Sequence, residues 1–245
     1  MQPFVDTVVA AAVRSGDAVV DVACGTGFAT RAAAAATGHS GRAVGIDLNS
    51  AMVETARTVA DPSDLEISWH EASALDLPFG NGEFDAVISQ QGIQFFPDVA
   101  AGLREMTRVV RAGGQLAATV WAPLKDSPFF SAETQMLVDH CGVDSALSDA
   151  VFPAGGIAQV RGWFDEAGHQ DADIELVEAV VSLPPVADYV PAHLKALPWS
   201  ASFFSLDQGA QSVALTDMEA RLSDYATGSG IDVPFRSYLV TATVT

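Results

Sequence analysis

Lysine is nearly missing from this chain: only Lys125 and Lys195 occur in its 245 residues, and 12 basic residues in all stand against 31 acidic ones, for a formal net charge of -19. Nucleic acids and anionic membrane surfaces are held by clustered Lys and Arg, and no such cluster occurs, so neither is expected as a partner. Cysteine is scarce as well. Cys24 and Cys141 build neither a disulfide framework nor a metal cluster by themselves, no metal is expected, and the pair suits a reducing, cytoplasmic setting. Long apolar runs are also lacking, since no stretch reaches the roughly 20 uninterrupted apolar residues that span a bilayer. The opening segment, Met1 to Val13, is too short and too poor in positive charge for a secretory signal. What remains is apolar: 49% of residues are hydrophobic and 18% charged, enough to bury one generous core and too much for a disordered tail.

The first two thirds of the chain alternate short β-like runs with helix-like stretches, the pattern of an α/β fold with a mostly parallel sheet and helices on both faces. Strands are predicted at Ala18 to Ala23, Ala43 to Asp47, Leu65 to His70, Phe84 to Ser89 and Gln115 to Trp121. Helices are predicted near Ala29 to Ala36, Ser50 to Ala60 and Val99 to Val110. Asn49-Ser50 reads as a helix start with Glu54 in the first turn, and Gly113-Gly114 as the stop before the fifth strand. Beyond Ser127 two more helices, Pro128 to Cys141 and Ile157 to Ala167, precede a sixth strand at Ala172 to Val181 and a last one at Phe235 to Val244. Pro184, Pro185, Pro191 and Pro198 punctuate the stretch between those two strands, which also carries Trp199, Phe203 and Phe204. Insertions at strand ends commonly form lids. The expected organisation is therefore a cofactor-binding core over 1-125, the remainder of the core over 126-182, a lid-like insertion over 183-228 and a final core strand over 229-245.

The chemistry is concentrated in Val19-Val20-Asp21-Val22-Ala23-Cys24-Gly25-Thr26-Gly27, a buried strand entering a glycine turn and then a helix. In open α/β sheets ligands sit beyond the carboxyl ends of the strands, where glycine lets the backbone approach them. Asp47 follows Gly27 by twenty residues at the end of the second strand, the spacing at which a carboxylate accepts hydrogen bonds from ribose hydroxyls. Thr30 occupies the third position of the dinucleotide fingerprint, where Gly or Ala packs helix on strand, and this counts against a nicotinamide dinucleotide. Asp21 discriminates further. A carboxylate just before the glycine turn repels a pyrophosphate and welcomes an ammonium, so the electrostatics favour a cationic adenosine cofactor such as S-adenosylmethionine.

Further motifs follow in order: Gly45-Ile46-Asp47-Leu48 with Met52, Glu71-Ala72 before Leu77-Pro78-Phe79, and Phe84-Asp85-Ala86-Val87. Then come Gln90-Gln91-Gly92-Ile93-Gln94-Phe95-Phe96-Pro97-Asp98 and Leu103-Arg104-Glu105-Met106 leading to Gly113-Gly114. On these motifs the chain, over roughly Phe4 to Trp121, resembles the class I S-adenosylmethionine-dependent methyltransferases, in the branch that includes ubiquinone and menaquinone biosynthesis methyltransferases. The resemblance implies a Rossmann-like methyltransferase fold, a seven-stranded mostly parallel sheet with helices on both faces and a helical lid insertion between the last strands. It implies that Asp21, Ala23, Gly25, Thr26 and Gly27 surround the methionine portion, and that Asp47 holds the ribose with Leu48 and Met52 against the adenine. Glu71, Ala72 and Ser73 follow the third strand, where the family's Asp-Ala pair clamps adenine. Here the longer Glu71 replaces that Asp, which leaves the backbone contact as the firmer one. Gln90 and Gln91 would flank the sulfonium and the acceptor. Relatives carry an additional N-terminal helix closing over the cofactor, so a resemblance that starts almost at Met1 implies a truncated chain or a more open site.

A sulfonium is already an activated leaving group, so in-line displacement needs chiefly an acceptor held near the methyl carbon in a site that excludes water. A base helps only if the acceptor must lose a proton. The weak catalytic candidates are Gln91, His140 and His193, with His70 beside Glu71 as a further histidine, and no motif supports any histidine. Cys24 reads as a small turn residue and most aromatics as core. The expected activity is methyl transfer from S-adenosylmethionine to an oxygen or carbon of a moderately lipophilic small molecule, with a homodimer as the expected assembly. The alternatives are a protein that binds the cofactor without transferring methyl and a nicotinamide-dependent oxidoreductase. Three acidic site residues do not account for a charge of -19. The remainder reads as a solvated surface whose self-repulsion salt would screen. The thermal midpoint is accordingly expected to rise between low and molar potassium chloride, and a flat or falling midpoint contradicts adaptation to salt.

Overall fold

A computed structural model describes residues 2–59, 64–144, 146, 151–152, 155–195 and 199–245. The seven strands are β1 (Ala18–Val22), β2 (Arg42–Asp47), β3 (Ile67–Glu71), β4 (Phe84–Gln90), β5 (Val110–Trp121), β6 (Asp173–Leu183) and β7 (Ile231–Thr243). They form one sheet in the order β3-β2-β1-β4-β5-β7-β6. The pairs β1 with β2, β1 with β4, β2 with β3 and β4 with β5 are parallel, whereas β7 runs antiparallel to β5. The order reverses at β1 and β4, so their carboxyl ends flank the crevice where ligands of open sheets sit.

Helices α1 (Gln2–Ala12), α2 (Phe28–Thr37), α3 (Ser50–Thr58) and α4 (Val99–Val109) accompany the parallel strands. The other described helices are α5 (Pro128–Cys141), α6 (Gly156–Ala167), α7 (Val186–Leu194), α8 (Ser200–Phe204) and α9 (Gln208–Arg221). The last three fill the connection between β6 and β7, which is helical as expected. The chain divides into two compact units: the first comprises Met1–Trp121, Gly155–Val177 and Ser237–Thr245, the second Ala122–Ala154 and Glu178–Arg236. Helix α5 thus groups with the insertion.

In the first unit, β1 is buried on both faces, Val19, Val20 and Val22 having no exposed surface, as a central parallel strand requires. Helix α1 lays Phe4, Val5, Val8, Val9 and Ala12 against the core, and Phe4 meets Trp121 edge to face at 5.6 Å. Ala29, Ala33 and Ala34 of α2 belong to the same buried cluster, and their small side chains permit close helix packing. Within the second unit Phe129 lies against Tyr189, His193 and Phe235 at centroid distances of 5.8, 5.9 and 5.7 Å.

Three expectations need correction. Helix α1 is absent from the sequence reading, although its apolar residues at positions 4, 5, 8, 9 and 12 carry helical periodicity. Gly113 and Gly114 lie inside β5, in the irregular stretch where Phe84 pairs with Val110 but Ala86 with Gln115. There Gly113 takes a φ of 78°, and a Cβ on Gly114 would meet the Asp85 carbonyl oxygen at 2.5 Å. Glu54 is beyond the first turn of α3, whose start is set by Asn49 accepting the Ala51 N–H. The end of that helix at Ala60 and the residue Pro198 lie outside the described residues.

Candidate functional site

Beyond the carboxyl ends of β1, β2 and β4 lies a cleft of about 750 Å³, lined entirely by the first unit. Its floor starts with Asp21, a 1% exposed carboxylate inside an otherwise apolar strand. Thr30, in the first turn of α2, donates its hydroxyl to Asp21 Oδ2 at 2.6 Å. Asp21 Oδ1 is buried with no partner. Burial pushes the Asp21 carboxyl up to about 7; the nearby Asp47 charge adds to this and the Thr30 hydrogen bond opposes it. A buried carboxylate with one unsatisfied oxygen is stabilised by a cation or a strong donor.

The glycine turn is built by neighbours that the motif does not contain. Gly45 pairs with Asp21 on one side and Trp69 on the other. A Cβ on Gly45 would meet Trp69 Cε3 at 2.5 Å and Thr30 Oγ1 at 2.9 Å. Glycine inside a strand marks such a close approach. The Trp69 ring also lies where a Cβ on Gly27 would fall, 2.2 Å from Cη2, and Gly27 adopts a φ of 85°. Arg31 covers the ring at 5.1 Å and donates from Nη1 to the Thr26 carbonyl at 2.8 Å and from Nη2 to the Ala56 carbonyl. The turn is therefore seated on Trp69 and tied to α3 through Arg31.

Asp47 fixes the adjoining edge. Its Oδ2 accepts the Gly25 N–H and its Oδ1 the Asn49 N–H, each at 2.8 Å. A carboxylate accepts about four hydrogen bonds, so both oxygens retain capacity for hydroxyl donors. The backbone joins in, with Cys24 N–H on the Ile46 carbonyl and Ala72 N–H on the Asp47 carbonyl. Across the cleft Ala23 and Gln91 hold φ values of 59° and 54°. Left-handed non-glycine backbone is costly and clusters at functional sites. The strand ends touch here: a Cβ on Gly92 would meet Ser89 Oγ at 2.6 Å and Ala23 Cβ at 2.7 Å.

Of the expected residues, Asp21, Ala23, Gly25, Thr26, Asp47, Leu48, Met52, Ala72, Ser73, Gln90 and Gln91 come together on the cleft wall. Gly27 and Glu71 do not line it. Gly27 serves the turn from beneath, and Glu71 is an exposed residue at the end of β3, so the acidic pair of the cleft is Asp21 and Asp47. Neither His140 nor His193 is on this wall. In the second unit His140 Nε2 lies 3.2 Å from Asp217 Oδ2 and His193 Nε2 lies 3.4 Å from Glu133 Oε1. His70 packs edge-on against Phe79 at 5.7 Å. Cys24 lines the cleft, but burial and the Asp21 and Asp47 charges push its thiol far up, which disfavours a thiolate.

Sequence reasoning missed Trp69 and Arg31 under the turn, and the cleft residues Phe28, Leu75, Phe96 and Pro97. Gly45, a glycine within an apolar strand, was the available signal for Trp69. Phe28 and Leu48 are 69% and 71% exposed, and Met52, Leu75 and Phe95 are exposed beside them on the same wall. Large apolar side chains gathered at a cleft mouth mark a ligand surface. Among the described residues no group of three or more His, Cys, Asp or Glu is placed to hold a metal, and no helix is long and apolar enough to cross a membrane.

Residues 19–114 match the family model described as a methyltransferase domain. The chain is 40% identical over 111 residues to an uncharacterised protein of Mycobacterium tuberculosis, covering 45% of this chain and 39% of that one. It is 35% identical over 139 residues to the 2-phytyl-1,4-naphtoquinone methyltransferase of Synechococcus elongatus, covering 56% and 59%. To the demethylmenaquinone methyltransferase of Staphylococcus saprophyticus it is 35% identical over 105 residues, covering 42% and 44%. The chain thus matches well under two thirds of the length of these relatives. In fold it is similar to the YcgJ protein of Bacillus subtilis, with a TM-score of 0.60 at 16% identity over 99% of this chain and 98% of that one. It is also similar to phosphoethanolamine N-methyltransferase 2 of Haemonchus contortus, solved with S-adenosyl-L-methionine, with a TM-score of 0.57 at 17% identity over 95% and 50%.

Proposed function

We propose that residues 19–114, which match the methyltransferase domain model, are of the class I S-adenosylmethionine-dependent type, and that the protein moves a methyl group from S-adenosylmethionine to an oxygen or carbon of a lipophilic small molecule in the cytosol. The observation that carries this reading is Asp21 Oδ1, a buried carboxylate oxygen without a partner on the wall of the cleft. It fits an ammonium and would repel the pyrophosphate of a dinucleotide, which supports the sulfonium cofactor over a nicotinamide one.

Asp21 would take the amino group of the methionine portion, Asp47 the ribose hydroxyls, and Leu48 and Met52 the adenine face, with the Ala72 and Ser73 segment at its edge. The cofactor supplies a methyl group on an activated sulfonium. The chain's part is positional: the turn seated on Trp69 sets the methionine end, and the strained β4 end presents Gln90 and Gln91 beside it. Phe28, Leu75 and Phe95 give the acceptor an apolar surface that excludes water.

Calorimetry with S-adenosylmethionine and S-adenosylhomocysteine tests the first half. Binding by both supports the reading, and no binding at millimolar concentration sinks it. Asp47→Ala should weaken either ligand by about 1 to 3 kcal/mol, from the lost ribose hydrogen bonds and from the orphaned Gly25 and Asn49 N–H groups. Unchanged affinity would remove Asp47 from the site.

A further inference from the structure

In the sequence Thr30 is a departure from the dinucleotide fingerprint; in the fold its hydroxyl has an unusual partner. Thr30 is fully buried in α2, and its Oγ1 donates to Asp21 Oδ2 at 2.6 Å. A Thr hydroxyl inside a helix commonly bonds the carbonyl four residues back. Thr7, Thr55, Thr107 and Thr216 all do so, on Pro3, Ala51, Leu103 and Ser212, at 2.8 to 2.9 Å. For Thr30 that carbonyl belongs to Thr26 and accepts from Arg31 Nη1 at 2.8 Å. The Thr30 hydroxyl turns to β1 instead. Gly45 leaves the room for it, since a Cβ there would stand 2.9 Å from Thr30 Oγ1.

This bond fixes one carboxylate oxygen and leaves the other. Asp21 Oδ1 has no partner, and Asp21 lines the cleft. A hydrogen bond to the charged form of a carboxyl favours that form. The Thr30 hydroxyl does this against burial and the Asp47 charge, which both oppose ionisation. Few other titratable groups face Asp21. Cys24 is in the turn and Asp47 ends β2, while the strand neighbours Gly45 and Ile88 carry no charge. On α2, Arg31 is turned to Trp69 and to the Thr26 and Ala56 carbonyls. Among the described residues no His, Lys or Arg lines the cleft.

Resting on the methyltransferase reading, we propose that Thr30 is the positioning residue for the cofactor's ammonium group: its hydroxyl holds Oδ2, so that Asp21 presents a charged Oδ1 to the cleft. Thr30 acts only through Asp21, since it is not on the cleft wall itself.

The test is calorimetry with S-adenosylhomocysteine and with 5′-methylthioadenosine from pH 5.5 to 8.5, on the whole chain and on Thr30→Val, Thr30→Ala and Thr30→Ser. The second ligand keeps the adenosine and lacks the amino acid, so it reports folding and the ribose and adenine contacts. The first two variants remove the hydroxyl, one keeping the volume and one opening it. In both, S-adenosylhomocysteine affinity should fall about tenfold at pH 6, and the pH at which it levels off should rise by about one unit. Affinity for 5′-methylthioadenosine should hold within about twofold. Thr30→Ser should restore both the affinity and the pH profile to within about threefold of wild type. A merely structural role would weaken both ligands alike and leave the profile in place. That result, wild-type affinity without the hydroxyl, or Thr30→Ser as weak as Thr30→Val overturns the proposal. Failure of the wild-type chain to bind S-adenosylhomocysteine overturns instead the reading on which it rests.

Discussion

Replacing Asp21 by Asn should cost at least about a hundredfold in affinity for S-adenosylmethionine, roughly 3 kcal/mol, while making the ligand-free protein more stable at neutral pH. The two effects share a cause. Asp21 is buried with one oxygen unpaired, so its charge is tolerated poorly until a cation arrives. Its carboxyl, held at about 7 in the fold against an ordinary value of 3.8, disfavours the folded state as it ionises. Below about pH 4 the group is neutral whether folded or unfolded and the variant should gain nothing. Between pH 4 and 7 the unfolded chain ionises first, and the wild type falls behind. Above pH 7 the gap is complete, on the order of 2 to 4 kcal/mol in favour of Asn. Thermal unfolding of both proteins across pH 4 to 8 checks this. Parallel curves would mean that Asp21 is compensated by something other than a ligand.

Gly27→Ala should be the most disruptive single methyl group in the core domain. The added Cβ would fall 2.2 Å from Trp69 Cη2 and 2.7 Å from Cζ3, at a φ of 85° that alanine adopts only at a cost. Strain and overpacking together predict a loss of about 2 to 4 kcal/mol, or roughly 5 to 15 °C in thermal midpoint for a chain of this size. Cofactor affinity should fall with it, because the displaced turn carries the Gly25 N–H that Asp47 accepts. Trp69→Leu in the same chain should recover the steric part and leave the backbone part. Full recovery would show that φ at Gly27 is immaterial. Gly25→Ala provides a contrast, since space is open around a Cβ there and only its φ of 55° resists substitution.

Legibility in the sequence follows the range of the forces involved. The parallel strands β1, β2, β4 and β5 and the helices after them were readable because burial on both faces gives continuous apolar runs and because turns carry glycine. Helix α5 was readable to its ends, with Pro128 at the start and Gly142 in left-handed backbone at the stop. Helix α1 went unread despite its periodicity, having no capping signal to mark it. In the site, Asp21 and Asp47 were legible from spacing and charge alone. Trp69 and Arg31 were not, because they act across strands and helices far apart in sequence, and only Gly45 hinted at the bulk beside it. Glu71, expected to meet the cofactor chiefly through its backbone, is exposed at the end of β3 and does not line the cleft. His140 and His193 carry the chemistry of a base, and in the second unit the structure sets His140 against Asp217 at 3.2 Å and His193 within 3.4 Å of Glu133.

The central claim is that a cationic adenosine cofactor pairs with the buried charge of Asp21. Calorimetric titration of the wild-type chain with S-adenosylhomocysteine from pH 5.5 to 8, in two buffers of different ionisation enthalpy, tests it most directly. Ammonium binding selects the ionised carboxylate. Affinity should therefore rise about tenfold per pH unit up to about pH 7 and then level off, with proton release below that point and none in the Asp21→Asn variant. An affinity independent of pH, or no binding at all, would contradict the account.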